Sequence, residues 1–117
     1  MNIISTGGSL RHRSLSLVGP VAHDTIQRYN VDTAVISCKG VDMERGITDS
    51  NEPECELKKY MLRQAEKVVL LADHTKFNKT AFTQLVELGR IDVLITDRKP
   101  PEPWLKRLAE ENIEVLY

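Results

Sequence analysis

Several apolar stretches of this chain run directly into polar residues whose side chains could bind a small molecule. The stretch VVLLA at 68–72 ends in Asp73-His74-Thr75-Lys76, and a later apolar stretch ends in Thr96-Asp97-Arg98. The comparable earlier segments are Thr6-Gly7-Gly8 and Lys39-Gly40-Val41-Asp42. Together these segments offer hydroxyls, carboxylates and cations, with glycines that let a ligand approach the backbone. This combination is typical of a small-molecule pocket.

The polar segments also have a simpler explanation, because every strand must end in a turn and turns are polar. Asp and Thr at a strand end often only cap the helix that follows. Asp42 and Lys76, however, are not needed for capping. In an open α/β sheet, ligands bind beyond the carboxyl ends of the strands, so parallel strands would bring all four segments to one edge.

The segment 54–66 has the spacing of an amphipathic helix whose inward stripe carries two charges. Glu54 and Lys58 lie at the amino-terminal end of that stripe, at about 100° per residue. Its apolar members are Leu57, Met61, Leu62 and Ala65. Two inward charges cost free energy unless they are paired or line a polar cavity. Glu54 and Lys58 could form a salt bridge with each other at i, i+4, or they could line the wall of a pocket. The sequence is compatible with both alternatives.

The elements that would position these residues alternate between strand and helix. Apolar runs rich in β-branched residues predict buried strands at 33–38, 68–72 and 91–96, with short edge strands at 2–5 and 113–116. Helical spacing with Pro, Gly or Asn punctuation predicts helices at 19–30, 53–66, 80–88 and 100–112. The stretch LSLV at 15–18 could extend a strand. Together these elements predict an α/β fold, an open and mostly parallel sheet with helices on both faces.

The size and composition of the chain are those of one soluble globular domain. It has 117 residues, of which 41% are hydrophobic and 28% charged, and its net charge is −1. That charge argues against broad affinity of this chain alone for nucleic acid. No apolar run has the roughly 18 residues of a membrane span and no signal peptide opens the chain, so we expect an intracellular, cytoplasmic protein without a membrane partner. Two cysteines, Cys38 and Cys55, suit reduced structural thiols.

The motifs of this chain resemble the C-terminal effector-sensing domain of the DeoR-type transcriptional regulators of sugar metabolism, nearly end to end. Gly7-Gly8-Ser9-Leu10-Arg11 is similar to that family's GG-x-x-R, and Glu54-Cys55-Glu56-Leu57-Lys58-Lys59 to its E-A-E-x-K-R. Asp73-His74-Thr75-Lys76-Phe77 is similar to D-S-S-K-F, and Ile95-Thr96-Asp97 to V-I-T-D. Between them, Gly40-Val41-Asp42 is followed by Gly46-Ile47-Thr48 in the family's order.

The resemblance implies a fold related to ribose-phosphate isomerases, glucosamine-phosphate deaminases and CoA transferases, with a phosphorylated sugar bound at the strand carboxyl ends. It implies Lys76 as a cation for the ligand, and Asp42 and Glu54 as acceptors for sugar hydroxyls. The expected ligand-binding residues are Gly7, Gly8, Arg11, Asp42, Thr48, Glu54, Lys58 and Lys76. No catalytic residue, metal site or cofactor is expected.

The chain departs from the resembled family in three ways. It carries neither a winged helix-turn-helix nor the D-x-G-T-T loop that should cradle phosphate through backbone N–H groups. We therefore expect residues 1–117 to be a single effector-binding domain that is itself partial. It would control DNA binding only through a missing N-terminal module. His74 replaces a small hydroxyl residue. Regulators of this type tend to assemble, so a homo-oligomer is expected.

The sequence is also compatible with two other functions. An aldose–ketose isomerase of the same fold would need a carboxylate base near the substrate C–H, and Asp42 or Glu54 could supply it. The isomerases resembled here carry a denser acidic cluster and a lysine before a run of glycines, whereas Lys39-Gly40 is followed by Val41. A non-binding oligomerisation fragment would instead pair through bare sheet edges.

Overall fold

Nine strands and three α-helices follow one another in the computed structural model, which describes all 117 residues. The strands are β1 (Ser9–Arg11), β2 (Ser16–Val18), β3 (Val31–Ser37), β4 (Gly40–Asp42), β5 (Gly46–Asp49), β6 (Ala65–Leu71), β7 (Thr83–Val86), β8 (Val93–Ile95) and β9 (Glu114–Leu116). The helices are α1 (Pro20–Gln27), α2 (Glu52–Gln64) and α3 (Glu102–Glu110), with 3₁₀ turns at His74–Lys76 and Leu88–Arg90.

The central sheet has four parallel strands in the order β3-β6-β8-β9. Its register aligns Ser37 with Leu71, Leu71 with Ile95, and Ile95 with Leu116. The carboxyl ends of all four strands therefore lie at one edge, as the α/β prediction requires. This confirms the α/β class with an open parallel sheet, and it brings the segments after β3, β6 and β8 to the same edge.

A second, antiparallel sheet of three strands, β4-β5-β7, continues from that edge. The β4–β5 hairpin follows β3 directly, and the N–H of Lys39 donates to the carbonyl of Thr48 at 3.0 Å. Gly40 is required at its start because a Cβ there would collide with the carbonyl oxygen of Lys79. All four residues of β5 are buried. The hairpin thus returns the chain to the end of β3, where α2 begins.

The core lies between one face of the central sheet and a layer made of the second sheet, α2 and α3. Its sheet side includes Ile36, Leu70 and Leu94, and its helical side includes Trp104 of α3. The ring of Phe77 packs edge-on against Trp104 with centroids 5.1 Å apart. The Trp104 Nε1–H donates to Asn78 Oδ1 at 3.1 Å, so the buried indole keeps a hydrogen-bond partner.

The other face of the central sheet is more open. Val35, Leu71 and Ile95, which share that face, are between 39 and 52% exposed. Each of these strands therefore alternates between buried and exposed residues toward its carboxyl end. The near-continuous apolar runs in the sequence did not reveal this difference between the two faces.

Helix α2 forms close to where its sequence signals predict. The Asn51 side chain caps its amino terminus by accepting the N–H of Glu54 at 3.0 Å. Acidic residues occupy the first turn and Arg63 the last, which suits the helix dipole. With 13 residues α2 is the longest helix, and none of the three combines the length and apolar character that crossing a membrane requires.

Two element predictions are wrong. The segment 80–88 is not a helix, because Thr83–Val86 pairs with β5 and buries Leu85 while Gln84 stays exposed. This long-range pairing overrides the local helical spacing. Residues 2–5 form no strand and are exposed. In the stretch 15–18, residues Ser16–Val18 form β2, which pairs with β1 to make a hairpin.

Candidate functional site

A cleft of about 660 Å³ lies among the β1–β2 hairpin, the carboxyl end of β3 and the amino terminus of α2; we call it the charged cleft. Of its twelve lining residues only Cys38 is hydrophobic, so the wall suits a polar ligand. The lining residues are Arg11, Arg13, Ser14, Ser16, Ser37, Cys38, Lys39, Asp49, Ser50, Asn51, Glu54 and Lys58.

Glu54 lies at the centre of the contacts between the hairpin and α2. Its carboxylate accepts a hydrogen bond from Ser16 Oγ at 2.8 Å and one from Arg11 Nη1 at 3.2 Å. Burial opposes ionisation of this carboxyl, but hydrogen bonds from Ser14 and Ser16 and the charge of Arg11 outweigh it and lower its pKa. Glu54 is therefore an ionised acceptor inside a cleft, which is the form that binds hydroxyl groups well.

Lys58 forms an ion pair, but not with Glu54, the partner that its i, i+4 spacing allows. Its ammonium group lies 2.6 Å from Asp49 Oδ2 and donates to the carbonyl of Ser37 at 2.9 Å. The Asp49 side chain is only 5% exposed. The partner of Lys58 is thus Asp49 of β5 rather than Glu54 of its own helix. Both inward charges of α2 are paired, and both also line the cleft.

A second cleft, of about 480 Å³, lies at the carboxyl ends of β3, β6 and β8; we call it the strand-end cleft. It contains Lys76 and shares the segment 37–39 with the charged cleft, so the two clefts adjoin. At its rim the His74 ring and backbone N–H both bond to Asp97, at 2.8 and 2.7 Å. Those hydrogen bonds lower the pKa of Asp97 to about 2.

Four residues of the predicted set line neither cleft, and Asp42 and Thr48 are two of them. Asp42 lies in the β4–β5 turn, where its Oδ2 accepts the N–H groups of Glu44 and Arg45 at 3.0 and 2.9 Å. Those two backbone bonds lower its pKa. Thr48 is buried in β5, and its hydroxyl accepts the N–H of Ala81 at 2.8 Å. The expected gathering of Asp42, Glu54 and Lys76 around one cavity is therefore not what the structure contains.

The glycine pair Gly7-Gly8 shapes the approach to the hairpin instead of lining the cleft. Both residues have positive φ, 68° and 109°, which favours glycine. A Cβ at Gly8 would lie 2.7 Å from the carbonyl oxygen of Val18. Arg11, the last residue of the same motif, does reach the cleft wall. Of the eight predicted ligand-binding residues, Arg11, Glu54 and Lys58 thus share one cleft and Lys76 lines its neighbour.

Several lining residues were missed by the sequence prediction. Arg13, Ser14 and Ser16 belong to the β1–β2 hairpin, and Asp49 belongs to β5; neither element was predicted. The segment Arg11-His12-Arg13 was the one basic cluster in the sequence that pointed to this wall.

The cleft contains one thiol, Cys38, which the structure makes unreactive. Its side chain is buried, and burial raises its pKa to about 11. The nearby Lys58 lowers that pKa without cancelling the effect of burial. A neutral thiol is a poor nucleophile and a poor metal ligand at neutral pH. No three His, Cys, Asp or Glu side chains are arranged to hold a metal ion.

An α/β sheet with a polar cleft at its strand ends has the architecture of the open-sheet class, in which ligands bind at that edge. The family described as the DeoR C terminal sensor domain matches residues 1–98, so this chain belongs to the DeoR sensor family. It is a family of sensors and not of enzymes, and curated relatives of the chain carry the names of transcriptional regulators.

Three curated relatives are 32 to 37% identical to this chain. The chain is 37% identical over 116 residues to the HTH-type transcriptional repressor GlcR of Bacillus subtilis, covering 99% of the chain and 45% of the repressor. It is 32% identical over 116 residues to a putative aga operon transcriptional repressor of Escherichia coli O157:H7, covering 99% and 43%. It is 34% identical over 110 residues to an L-fucose operon activator of Haemophilus influenzae, covering 94% and 44%. The chain therefore spans less than half the length of these curated relatives.

Proposed function

We propose that this chain is the effector-sensing domain of a sugar-metabolism regulator, and that it binds a phosphorylated sugar in the charged cleft. The observation that carries the proposal is the Glu54 carboxylate, held ionised between Arg11 and Ser16 within a cleft that also contains further cations. Carboxylates accept from sugar hydroxyls with charge-assisted strength, and the surrounding cations suit a phosphate. Relatives named for the aga and L-fucose operons point toward carbohydrate effectors.

The ligand would act by changing how the hairpin is held against α2. Arg11 and Ser16 are on the hairpin and Glu54 is on the helix, so a hydroxyl that bonds to Glu54 competes with or reinforces that contact. An effector shifts a regulator between two states only through different affinities for them. In the complete cytoplasmic regulator, we propose that this shift controls DNA binding by a helix-turn-helix module.

The test is calorimetric titration with a panel of phosphorylated aldoses and ketoses and their unphosphorylated parents. Glu54→Gln should weaken binding of the preferred sugar phosphate by about tenfold or more, since a hydrogen bond to a charged group contributes roughly 1.5–3 kcal/mol. Glu56→Gln is the matched control, because Glu56 is exposed on the same helix and does not line the cleft.

The proposal fails if no member of the panel binds, or if Glu54→Gln and Glu56→Gln change affinity alike. Lys76→Ala belongs in the same series, because the predicted contact between Lys76 and the ligand places part of the ligand in the strand-end cleft. Circular dichroism on each variant separates loss of binding from loss of folding.

We also propose that two copies of the chain associate through the open edge of β3. This seven-residue strand pairs with β6 on one side only, and Val31 and Val35 on it are 40 and 52% exposed. An apolar groove of about 340 Å³ runs beside it, lined in part by Ile4, Tyr29 and Met61. The segment 29–38 contains no lysine or arginine that would oppose pairing with another strand. A twofold axis would pair two such edges antiparallel.

Light scattering coupled to size-exclusion chromatography tests this association over a range of protein concentrations. Val35→Lys should convert a dimer into a monomer, because it places a charge beside the paired edge. Phe82→Lys is the control, since Phe82 is 81% exposed and is not among the residues of the groove. A monomeric wild-type chain at high micromolar concentration contradicts the proposal.

A further inference from the structure

The cations of the charged cleft fall into two groups that differ in their partners. Arg11 contacts Glu54 at 3.2 Å, and Lys58 contacts Asp49 at 2.6 Å, so a carboxylate already balances each of these charges. Arg13 has no carboxylate within 4.0 Å, and neither does Lys39. Both of these side chains line the cleft and are exposed. Two positive charges are thus free to meet a ligand.

We propose that Arg13 and Lys39 bind the phosphate group of the effector, which deepens the proposed function and rests on it. The sugar hydroxyls would then face Glu54 on the helix side of the same cleft. A phosphate monoester carries about −1.5 to −2 charges at pH 7. The cleft has four cationic and two anionic lining residues, so its excess of two positive charges matches that dianion.

The adjoining strand-end cleft lacks this excess. Lys39 and Lys76 face Asp73 and Asp97 there, so its lining charges cancel. Both carboxyls are ionised at neutral pH, because hydrogen bonds from Thr75 lower the pKa of Asp73 and those from His74 lower that of Asp97. A dianion placed among these carboxylates would be repelled as well as attracted. The balance of charge therefore favours the charged cleft for the phosphate.

The two residues approach the cleft from different elements and offer different chemistry. Arg13 is in the turn of the β1–β2 hairpin, and Lys39 follows β3 at the sheet edge. A guanidinium group can bond two phosphate oxygens at once, whereas an ammonium group acts as a compact point charge. The hydroxyl of Ser50, which also lines the cleft, is available to a remaining phosphate oxygen. A phosphate held in this way would connect the hairpin to the sheet.

The experiment compares wild type with the double variant Arg13→Ala/Lys39→Ala, using the preferred sugar phosphate, its unphosphorylated parent and inorganic phosphate. The double variant should bind the sugar phosphate about a hundredfold more weakly, from roughly tenfold for each charge-assisted contact. Its affinity for the unphosphorylated sugar should stay within about twofold of wild type. The preference for the phosphorylated form should therefore disappear.

Arg28→Ala/Lys106→Ala is the matched control, since it also removes one exposed arginine and one exposed lysine that line neither cleft. An equal loss in this control would show an effect of total charge and would overturn the assignment. A larger loss in Lys76→Ala than in the double variant would also overturn it, because it would place the phosphate in the strand-end cleft.

Inorganic phosphate separates failure of this inference from failure of the proposed function. Amide chemical shifts of Ser14 and Lys39 should move on adding phosphate to wild type and should not move at position 14 in the double variant. If phosphate shifts them but no sugar phosphate binds more tightly than phosphate alone, the phosphate assignment stands and the sugar-sensing proposal fails. If phosphate leaves these amides unchanged while a sugar phosphate binds elsewhere, the assignment of Arg13 and Lys39 is wrong.

Discussion

Replacing Lys58 by methionine should destabilise the ligand-free protein far more than the same change at its neighbour Lys59. Lys58 Nζ lies 2.6 Å from Asp49, whose side chain is 5% exposed, and the ammonium group also holds the Ser37 carbonyl. Methionine keeps much of the aliphatic stem but removes the charge. The variant leaves the Asp49 carboxylate buried, with no cation to balance it.

The expected loss can be placed between two known limits. Removing one partner of a fully buried ion pair costs about 3–5 kcal/mol, because the other charge remains desolvated. The Lys58 side chain retains 20% exposure, so water can reach part of the site and the lower end applies, about 3 kcal/mol. Lys59 pairs with Glu56, which is 53% exposed, and such surface pairs contribute about 0–1 kcal/mol.

Urea unfolding followed by circular dichroism measures both variants. With an m-value of about 1.5 kcal/mol/M, a loss of about 3 kcal/mol lowers the unfolding midpoint by roughly 2 M. Lys58→Met combined with Asp49→Asn should recover part of the loss, because the amide is neutral and tolerates burial better than a carboxylate. Equal midpoints for Lys58→Met and Lys59→Met would refute the view that Lys58 neutralises a buried charge.

Three further predictions concern other contacts. Gly40→Ala should lower the free energy of unfolding by more than about 1 kcal/mol, because the new Cβ would collide with the Lys79 carbonyl. An unchanged thermal unfolding midpoint would contradict that close approach. Burial raises the pKa of the Cys38 thiol to about 11, so this thiol should react with a disulfide reagent at pH 8 only after unfolding. Rapid labelling of Cys38 in the native protein would contradict this prediction. The contact with His74 lowers the pKa of Asp97 to about 2, below the unfolded-state pKa of about 3.9. The contact therefore stabilises the fold fully at pH values above about 3.9, and this stabilisation is lost as the pH falls toward 2. His74→Ala should raise the pKa of Asp97 in a carbon-detected NMR titration.

The parallel sheet and the helices α2 and α3 could be predicted from the sequence because their signals are local. An apolar run of β-branched residues favours a buried strand, and Pro53 followed by apolar residues at helical spacing favours the start of a helix. The inward position of Glu54 and Lys58 follows from helical spacing alone. These features depend on residues a few positions apart, so local sequence patterns were enough to predict them.

The partners of those charges come from distant parts of the chain and could not be predicted from local spacing. Glu54 and Lys58 have the right spacing to pair with each other, yet Arg11, 43 residues away, contacts Glu54, and Asp49 of the buried β5 contacts Lys58. Strand β7 likewise forms because β5 is beside it, against its own helical spacing. A buried charge or an unpaired strand edge is stabilised by any suitable partner close to it in space, and chain folding determines which partner that is. Asp42, which the sequence placed in a pocket wall, instead accepts hydrogen bonds from the backbone of its own turn.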